Sequence, residues 1–174
     1  VAVIIYFSRS GQNKQSGALQ YINVGNTAIV AGKLEQQIGC KSVALQTIEP
    51  YETDYEATLQ RSKKEEEQDK LVEIEPSDFD LTAEKQIFLG FPIWWSTIPN
   101  VVKTFLASND LSETEIYPFC THEGSQFGHS LDVIKLLAPQ ARVHSGLAVR
   151  GSKVYRSDQA ITNWLKCIDV AVIK

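Results

Sequence analysis

The chain has 174 residues, room for one domain, and a core of that size buries roughly 70% of the unfolded chain's surface without disulfides or metal. Apolar residues make up 43% and charged residues 22%, which excludes disordered, collagen-like and low-complexity architectures. Seventeen Lys and Arg against 21 Asp and Glu give a net charge of −4, the wrong sign for a chain that wraps nucleic acid or coats an anionic membrane, so a small molecule or a basic protein surface is the expected partner.

Cys40, Cys120 and Cys167 form no C-x-x-C pair. Their odd number, with no secretory leader in view, points to reduced thiols and a cytoplasmic setting. The main apolar stretch, 87–95, is about half of the roughly 20 residues a membrane span needs and contains Gly90 and Pro92, so no bilayer crossing is expected. There is no methionine, so Val1 is not expected to be the encoded start.

Residues 1–7 (VAVIIYF) form an unbroken apolar, β-branched run leading into Ser8-Arg9-Ser10-Gly11, the pattern of a strand buried on both faces that ends in a turn. A polar stretch over 12–24 follows. Gly25-Asn26-Thr27 then precedes a predicted helix over 28–38, with Val30, Leu34 and Ile38 at i, i+4, i+8 and Gly39 as its stop. Residues 42–48 read as a short second strand. A helix over 55–71 carries a charge run from Lys63 to Glu67, either a solvated face or an acidic docking patch.

Residues 86–91 (QIFLGF) repeat the buried-strand pattern and feed a helix over 99–106, with Val101, Val102, Phe105 and Leu106 on one face. Residues 115–120 (EIYPFC) read as a strand despite Pro118, followed by a helix bearing Leu131, Ile134 and Leu137. Residues 143–149 make strand five, and Ile161, Trp164, Leu165 and Ile168 mark the last helix. Five buried strands alternating with amphipathic helices predict a single α/β domain over 1–174, three layers around a doubly wound five-stranded parallel sheet, with no internal repeat.

Ligands of such sheets sit beyond the carboxyl ends of the strands, where strand order reverses, so function should reside in three turns: 8–27, 92–97 and 121–128. The first offers hydroxyls on Ser8, Ser10 and Thr27, a glycine at 11 and a helix N-terminus, which suits an anion. It has neither G-x-x-x-x-G-K-[ST] nor G-x-G-x-x-G, so a terminal monophosphate fits better than a triphosphate or a dinucleotide. Ser, Gly and Asn are also what backbone geometry asks of any strand-to-helix turn.

The second turn, Pro92-Ile93-Trp94-Trp95, puts two of three tryptophans where the sheet meets solvent, either as a buried pair or as a wall for a flat heteroaromatic. In the third, Thr121, His122, Glu123, Gly124, Ser125, Phe127 and Gly128 combine donors, two glycines and an aromatic, the makings of a pocket edge. Monophosphate loop, aromatic wall and polar glycine loop together describe a site for a flat ring with a phosphate tail. Flavin mononucleotide (FMN) has that shape.

With these motifs in place (YFSRSG, LGFPIWW, PFCTHEGSQFGHS and GLAVRGS) the sequence resembles the flavodoxin family along essentially its whole length, in the branch with P-I-W-W and T-H-x-G-S-x-x-G. The resemblance implies noncovalent FMN, strand order 2-1-3-4-5 and one- or two-electron chemistry at the flavin. By motif, Ser8, Arg9, Ser10, Asn26 and Thr27 would hold the phosphate. Pro92, Ile93, Trp94 and Trp95 would flank the ring, and residues 121–128 would line its other edge. Two departures stand out. The usual S-x-[ST]-G-N-T is interrupted by residues 12–25, which must loop out, and Ser96 replaces a glycine common after the second Trp.

The same residues also bear on other chemistries. Cys120 beside His122 and Glu123 suggests a cysteine hydrolase, although a lone Cys is more often small buried packing. A phospho-receiver of similar fold needs an acidic cluster after strand one, which Tyr6-Phe7-Ser8-Arg9 does not supply. His122, His129 and His144 are scattered, so no metal site is expected. Among flavin proteins, the expectation is an electron carrier docking on redox partner proteins, a reductase and an acceptor, as monomer or dimer. An FMN-dependent NAD(P)H:quinone reductase is the alternative, disfavoured because no second Gly-rich turn or Arg cluster serves a dinucleotide.

Overall fold

Strand β1, Ala2–Tyr6, has Val3, Ile4 and Ile5 fully buried, as an unbroken apolar run requires of a strand covered on both faces. The structure is a computed structural model describing residues 2–77 and 80–173; Val1, first residue of the expected strand, lies outside them. The polar stretch expected to loop out does so as an antiparallel hairpin of β2, Gly11–Gln15, and β3, Ala18–Ile22. Helix α1, Asn26–Ile38, ends on Gly39 in the left-handed conformation, whose N–H bonds Glu35 O at 2.8 Å.

Strand β4 is Lys41–Ala44, shorter than expected because it is an edge strand whose residues are only partly covered. Helix α2, Tyr55–Glu67, is capped by Asp54, whose carboxylate accepts from Ala57 N at 2.8 Å, and it stops at Glu67 rather than Leu71. Then come β5 (Gln86–Pro92), α3 (Asn100–Ser108), β6 (Glu115–His122) and α4 (Ser130–Leu137). β7 (Arg142–Val143), β8 (Leu147–Arg150), a 3-10 turn (Gly151–Arg156) and α5 (Asp158–Cys167) complete the chain.

All pairings in the main sheet are parallel, in the order β4-β1-β5-β6-β7, with β8 continuing on β6. Counted along the chain this is 2-1-3-4-5, with the fifth position divided. The expected single strand over 143–149 is broken because Ile116 faces Val143 while Phe119 faces Leu147, so three steps on β6 meet four on its neighbour. The extra residue falls opposite Pro118, which has no N–H to donate to the ladder.

Side chains alternate across the sheet into two cores. Val3, Ile5, Phe7, Ile87, Leu89 and Phe91 pack with α3 and α4, while Ile4, Phe88, Tyr117 and Phe119 pack with Val30 and Leu34 of α1 and Ile161, Trp164 and Leu165 of α5. From β1 the chain winds to β4 on one side and to β5 on the other. That reversal opens a crevice above the ends of β1 and β5, where the three turns meet.

Candidate functional site

The first turn is two chain segments brought together. Ser8 Oγ accepts the Ala28 N–H of α1 at 3.1 Å, serving as a cap from 20 residues away. Gly25 heads the helix and brings no side chain; a methyl there would collide with Ser8 Oγ and the Arg9 carbonyl. Residues 12–24 therefore leave and re-enter without displacing the loop, and their hairpin turns on Ser16 and Gly17, both at positive φ (53° and 81°). Arg9 does not present a free charge. Its guanidinium donates to the carbonyls of Gln12 (2.6 Å), Glu52 (2.9 Å), Thr53 (2.9 Å) and Asp54 (3.1 Å), fastening the hairpin and the start of α2 to the end of β1.

In the second turn Trp94 and Thr97 exchange main-chain hydrogen bonds of 3.0 and 3.1 Å around Trp95 and Ser96, both left-handed (φ 54° and 63°). Two non-glycine residues in that region cost about 1–2 kcal/mol each, a strain the surrounding contacts must hold. The Trp95 indole N–H donates outward to Ser62 Oγ at 3.0 Å, while Trp94 turns inward, edge-on to Phe7 and Tyr51 with ring centroids 5.3 and 5.1 Å away. The third turn locks onto the second: His129 N–H bonds Ser96 O at 2.7 Å, and a side chain on Gly128 would strike that carbonyl.

His122 is buried, and its Nδ1 accepts the Gly124 N–H at 2.9 Å. Burial, with a smaller push from Arg150, holds the imidazole below the usual histidine range, so it is neutral and carries its proton on Nε2. Arg150 donates to the Glu123 carbonyl at 3.1 Å, and the Glu123 carboxylate accepts the Gly17 N–H at 3.3 Å, joining the hairpin tip to the third turn. Thr27 and Thr121, both buried, share a hydroxyl hydrogen bond.

These segments enclose a cleft of about 440 Å³. Of the residues singled out in the sequence, Asn26, Pro92, Ile93, Trp94, Thr121, His122, Glu123, Gly124 and Ser125 line it. Ser8, Arg9 and Ser10 border a second recess of about 370 Å³ across the α1 N-terminus, together with Gly25. Trp95 sits outside the cleft, and Phe127 turns down against Phe91, ring centroids 6.3 Å apart. Sequence reasoning missed Asn13, Lys14 and Tyr55, which complete the wall together with Ser96. Lys14 Nζ lies 5.6 Å from the centre of the Tyr55 ring, so the hairpin reaches α2 on that side. The Ser-Gly turn dipeptide at 16–17 was the available signal.

Cys120 is fully buried, its thiol pushed up by burial, with Gln126 O 3.8 Å away; a hydrolase nucleophile there has no access to substrate. Among the described residues there is no metal-ligating cluster, and no helix is long and apolar enough to cross a membrane.

A family model described as Flavodoxin matches residues 2–168. The chain belongs to the flavodoxin family. Solved structures agree with a flavodoxin fold: a protein from Bacteroides eggerthii described as a flavoprotein is 25% identical, with a TM-score of 0.78 over 97% of this chain and 98% of that one. A Lactobacillus acidophilus flavoprotein in complex with FMN is 20% identical, with a TM-score of 0.65 over 89% and 96%. A Fusobacterium nucleatum flavodoxin bound to FMN is 9% identical, with a TM-score of 0.55 over 97% and 96%. At these last two identities the likeness concerns the fold. A search of curated proteins finds no match.

Proposed function

We propose that the protein binds FMN noncovalently and carries electrons between protein partners. The observation that carries this reading is the convergence of three strand-end turns and the hairpin on one cleft beside the α1 N-terminus, with Trp94 in its wall. Its volume falls within the roughly 300–1,000 Å³ of small-molecule sites. The residues fit the cofactor. A hydroxyl has one hydrogen and two acceptor sites, so Ser8, while accepting from Ala28, can still donate to a phosphate. Ser10 and the leading amides of Asn26 and Thr27 add donors at the positive end of the helix dipole, and Arg9 fixes the shape of the loop. Of the residues lining the cleft, Pro92, Ile93 and Trp94 would flank the ring, and Thr121, His122 and Gly124 would hold its edge. Bound there, FMN supplies one- and two-electron chemistry.

The discriminating measurement is titration of cofactor-free protein with FMN and with riboflavin. Charge-assisted hydrogen bonds contribute about 1.5–3 kcal/mol each, so Ser8→Ala should weaken FMN by roughly tenfold or more while scarcely changing riboflavin. Equal losses for both ligands would mean that the loop does not read the phosphate. Carrier and reductase separate in anaerobic stopped-flow mixing: FMN-loaded protein is expected to stay oxidised with excess NADPH or NADH and to be reduced only through an added flavoprotein reductase. Fast bleaching by either nucleotide would overturn the carrier reading.

A further inference from the structure

Tyr51 is held in a way that packing alone does not require. Its hydroxyl donates to Glu65 Oε2 at 2.5 Å, and the other carboxylate oxygen, Oε1, accepts from Arg61 Nε at 2.7 Å. The Arg61 guanidinium lies 3.8 Å above the centre of the Tyr51 ring and is pinned there by the carbonyls of Pro50 (2.9 Å) and Glu49 (3.0 Å). The same ring meets Trp94 edge-on at 5.1 Å, and Trp94 lines the main cleft. Glu65 is buried but borders a separate cleft of about 580 Å³ between α2 and residues 70–73, which the proposed cofactor site does not use. An unbroken path of contacts thus runs from the main cleft through Trp94 and Tyr51 to a carboxylate with its own opening.

We propose that Tyr51 is a redox-active tyrosine that refills an oxidised Trp94 with an electron while handing its phenolic proton to Glu65. The first oxidant is a one-electron acceptor in the main cleft, the light-excited flavin if the reading above holds; only the identity of this oxidant rests on that reading. The indole loses one electron and regains it from the phenol. The Tyr51 O–H bond breaks, and its proton forms an O–H bond to Glu65 Oε2. The net products are a neutral phenoxyl radical, a protonated carboxyl and an acceptor reduced by one electron.

Arg61 decides that electron and proton move together. A tyrosine radical cation stacked 3.8 Å under a guanidinium would be strongly repelled, whereas the neutral phenoxyl feels no such charge. The same arginine keeps Glu65 aimed, since one carboxylate oxygen holds Arg61 and the other is left to take the proton. Burial first, and then the bond to Glu65, push the phenol up, so in the resting protein the proton stays on Tyr51.

The test is pulse radiolysis of the flavin-free protein with azide radicals, which oxidise tryptophan, in a Trp95→Phe background. The expected result is a tryptophanyl signal that converts to a tyrosyl signal at a rate independent of protein concentration and slower in D2O. Tyr51→Phe keeps the ring packing and should abolish the conversion, and Glu65→Gln should slow it. An undiminished tyrosyl yield in Tyr51→Phe, or conversion without an isotope effect in the otherwise unaltered protein, overturns the proposal. The isotope measurement needs no change at Glu65, so it stands even where Glu65→Gln fails to fold. Light flashes on FMN-loaded protein then address the oxidant: absence of the tyrosyl signal there, with the radiolysis result intact, would remove the flavin as oxidant and leave the relay.

Discussion

Thr27 and Thr121 share a hydroxyl hydrogen bond of 2.8 Å across 94 residues of sequence, tying the first turn of α1 to the end of β6. Both are at least 95% buried, so each hydroxyl depends on the other for its partner. Thr27→Val or Thr121→Val alone strands a buried hydroxyl and should destabilise the protein by about 1–3 kcal/mol, whereas the double valine variant should cost less than the sum. Urea denaturation of the three variants measures the coupling; strictly additive losses would show that the two hydroxyls act independently.

Tryptophan emission should distinguish the two members of the second turn. Trp94 lines the cleft and Trp95 faces away toward Ser62, so FMN should quench wild-type emission strongly and quench Trp95→Phe just as strongly. Trp94→Phe, which leaves Trp95 and Trp164 emitting, should lose most of the quenching. The reverse result would move the flavin to the outer side of the turn.

His122 makes stability depend on pH in a defined direction. Its folded form sits below the 6.5 of a free histidine, so below about pH 6.5 the unfolded chain binds a proton that the folded one refuses. Stability should therefore be constant above neutrality and fall as pH drops through 6.5 toward the folded value, at no more than about 1.4 kcal/mol per pH unit. In His122→Asn, whose side-chain oxygen can still accept from Gly124, this slope should flatten. Urea midpoints between pH 8 and 5.5 provide the comparison.

The cysteines should differ sharply in reactivity. Cys167 is exposed, burial pushes the Cys40 thiol up to about 11, and Cys120 is sealed in the core. Iodoacetamide on the native protein should label Cys167 alone, with Cys120 modified only in denaturant and FMN binding unaffected, as read by mass spectrometry.

The buried architecture was legible because apolar periodicity reports burial directly: β1 and β5 announce themselves, β6 is readable despite Pro118, and α1 ends at the predicted Gly39. What escaped was structure held by polar groups. The β2-β3 hairpin contributes almost nothing to either core. It is held by the paired side-chain amides of Gln15 and Asn26 (2.9 and 2.8 Å), by Arg9, and by the Gly17 contact to Glu123. Such bonds join residues whose proximity exists only after folding. Similarly, the inward turn of Trp94 and the outward turn of Trp95 depend on a left-handed pair at 95–96 that the sequence W-S does not advertise. The break between β7 and β8 was written only in Pro118, on the neighbouring strand.

The hairpin changes what continuity means at the anion loop. Gly11 pairs with Ile22, and Ser8 touches the head of α1, so the chain returns to the point it left, and the strand ends have no means of sensing how much polypeptide lies between. Extending the turn at residues 16–17 would add only a slowly growing closure cost, about 0.6 kcal/mol for each doubling of its length, while leaving Ser8, Asn26 and Thr27 where they are. The fold thus carries a graft point within reach of its own cleft, where added sequence could reshape what the cleft meets while the sheet beneath it stays unchanged.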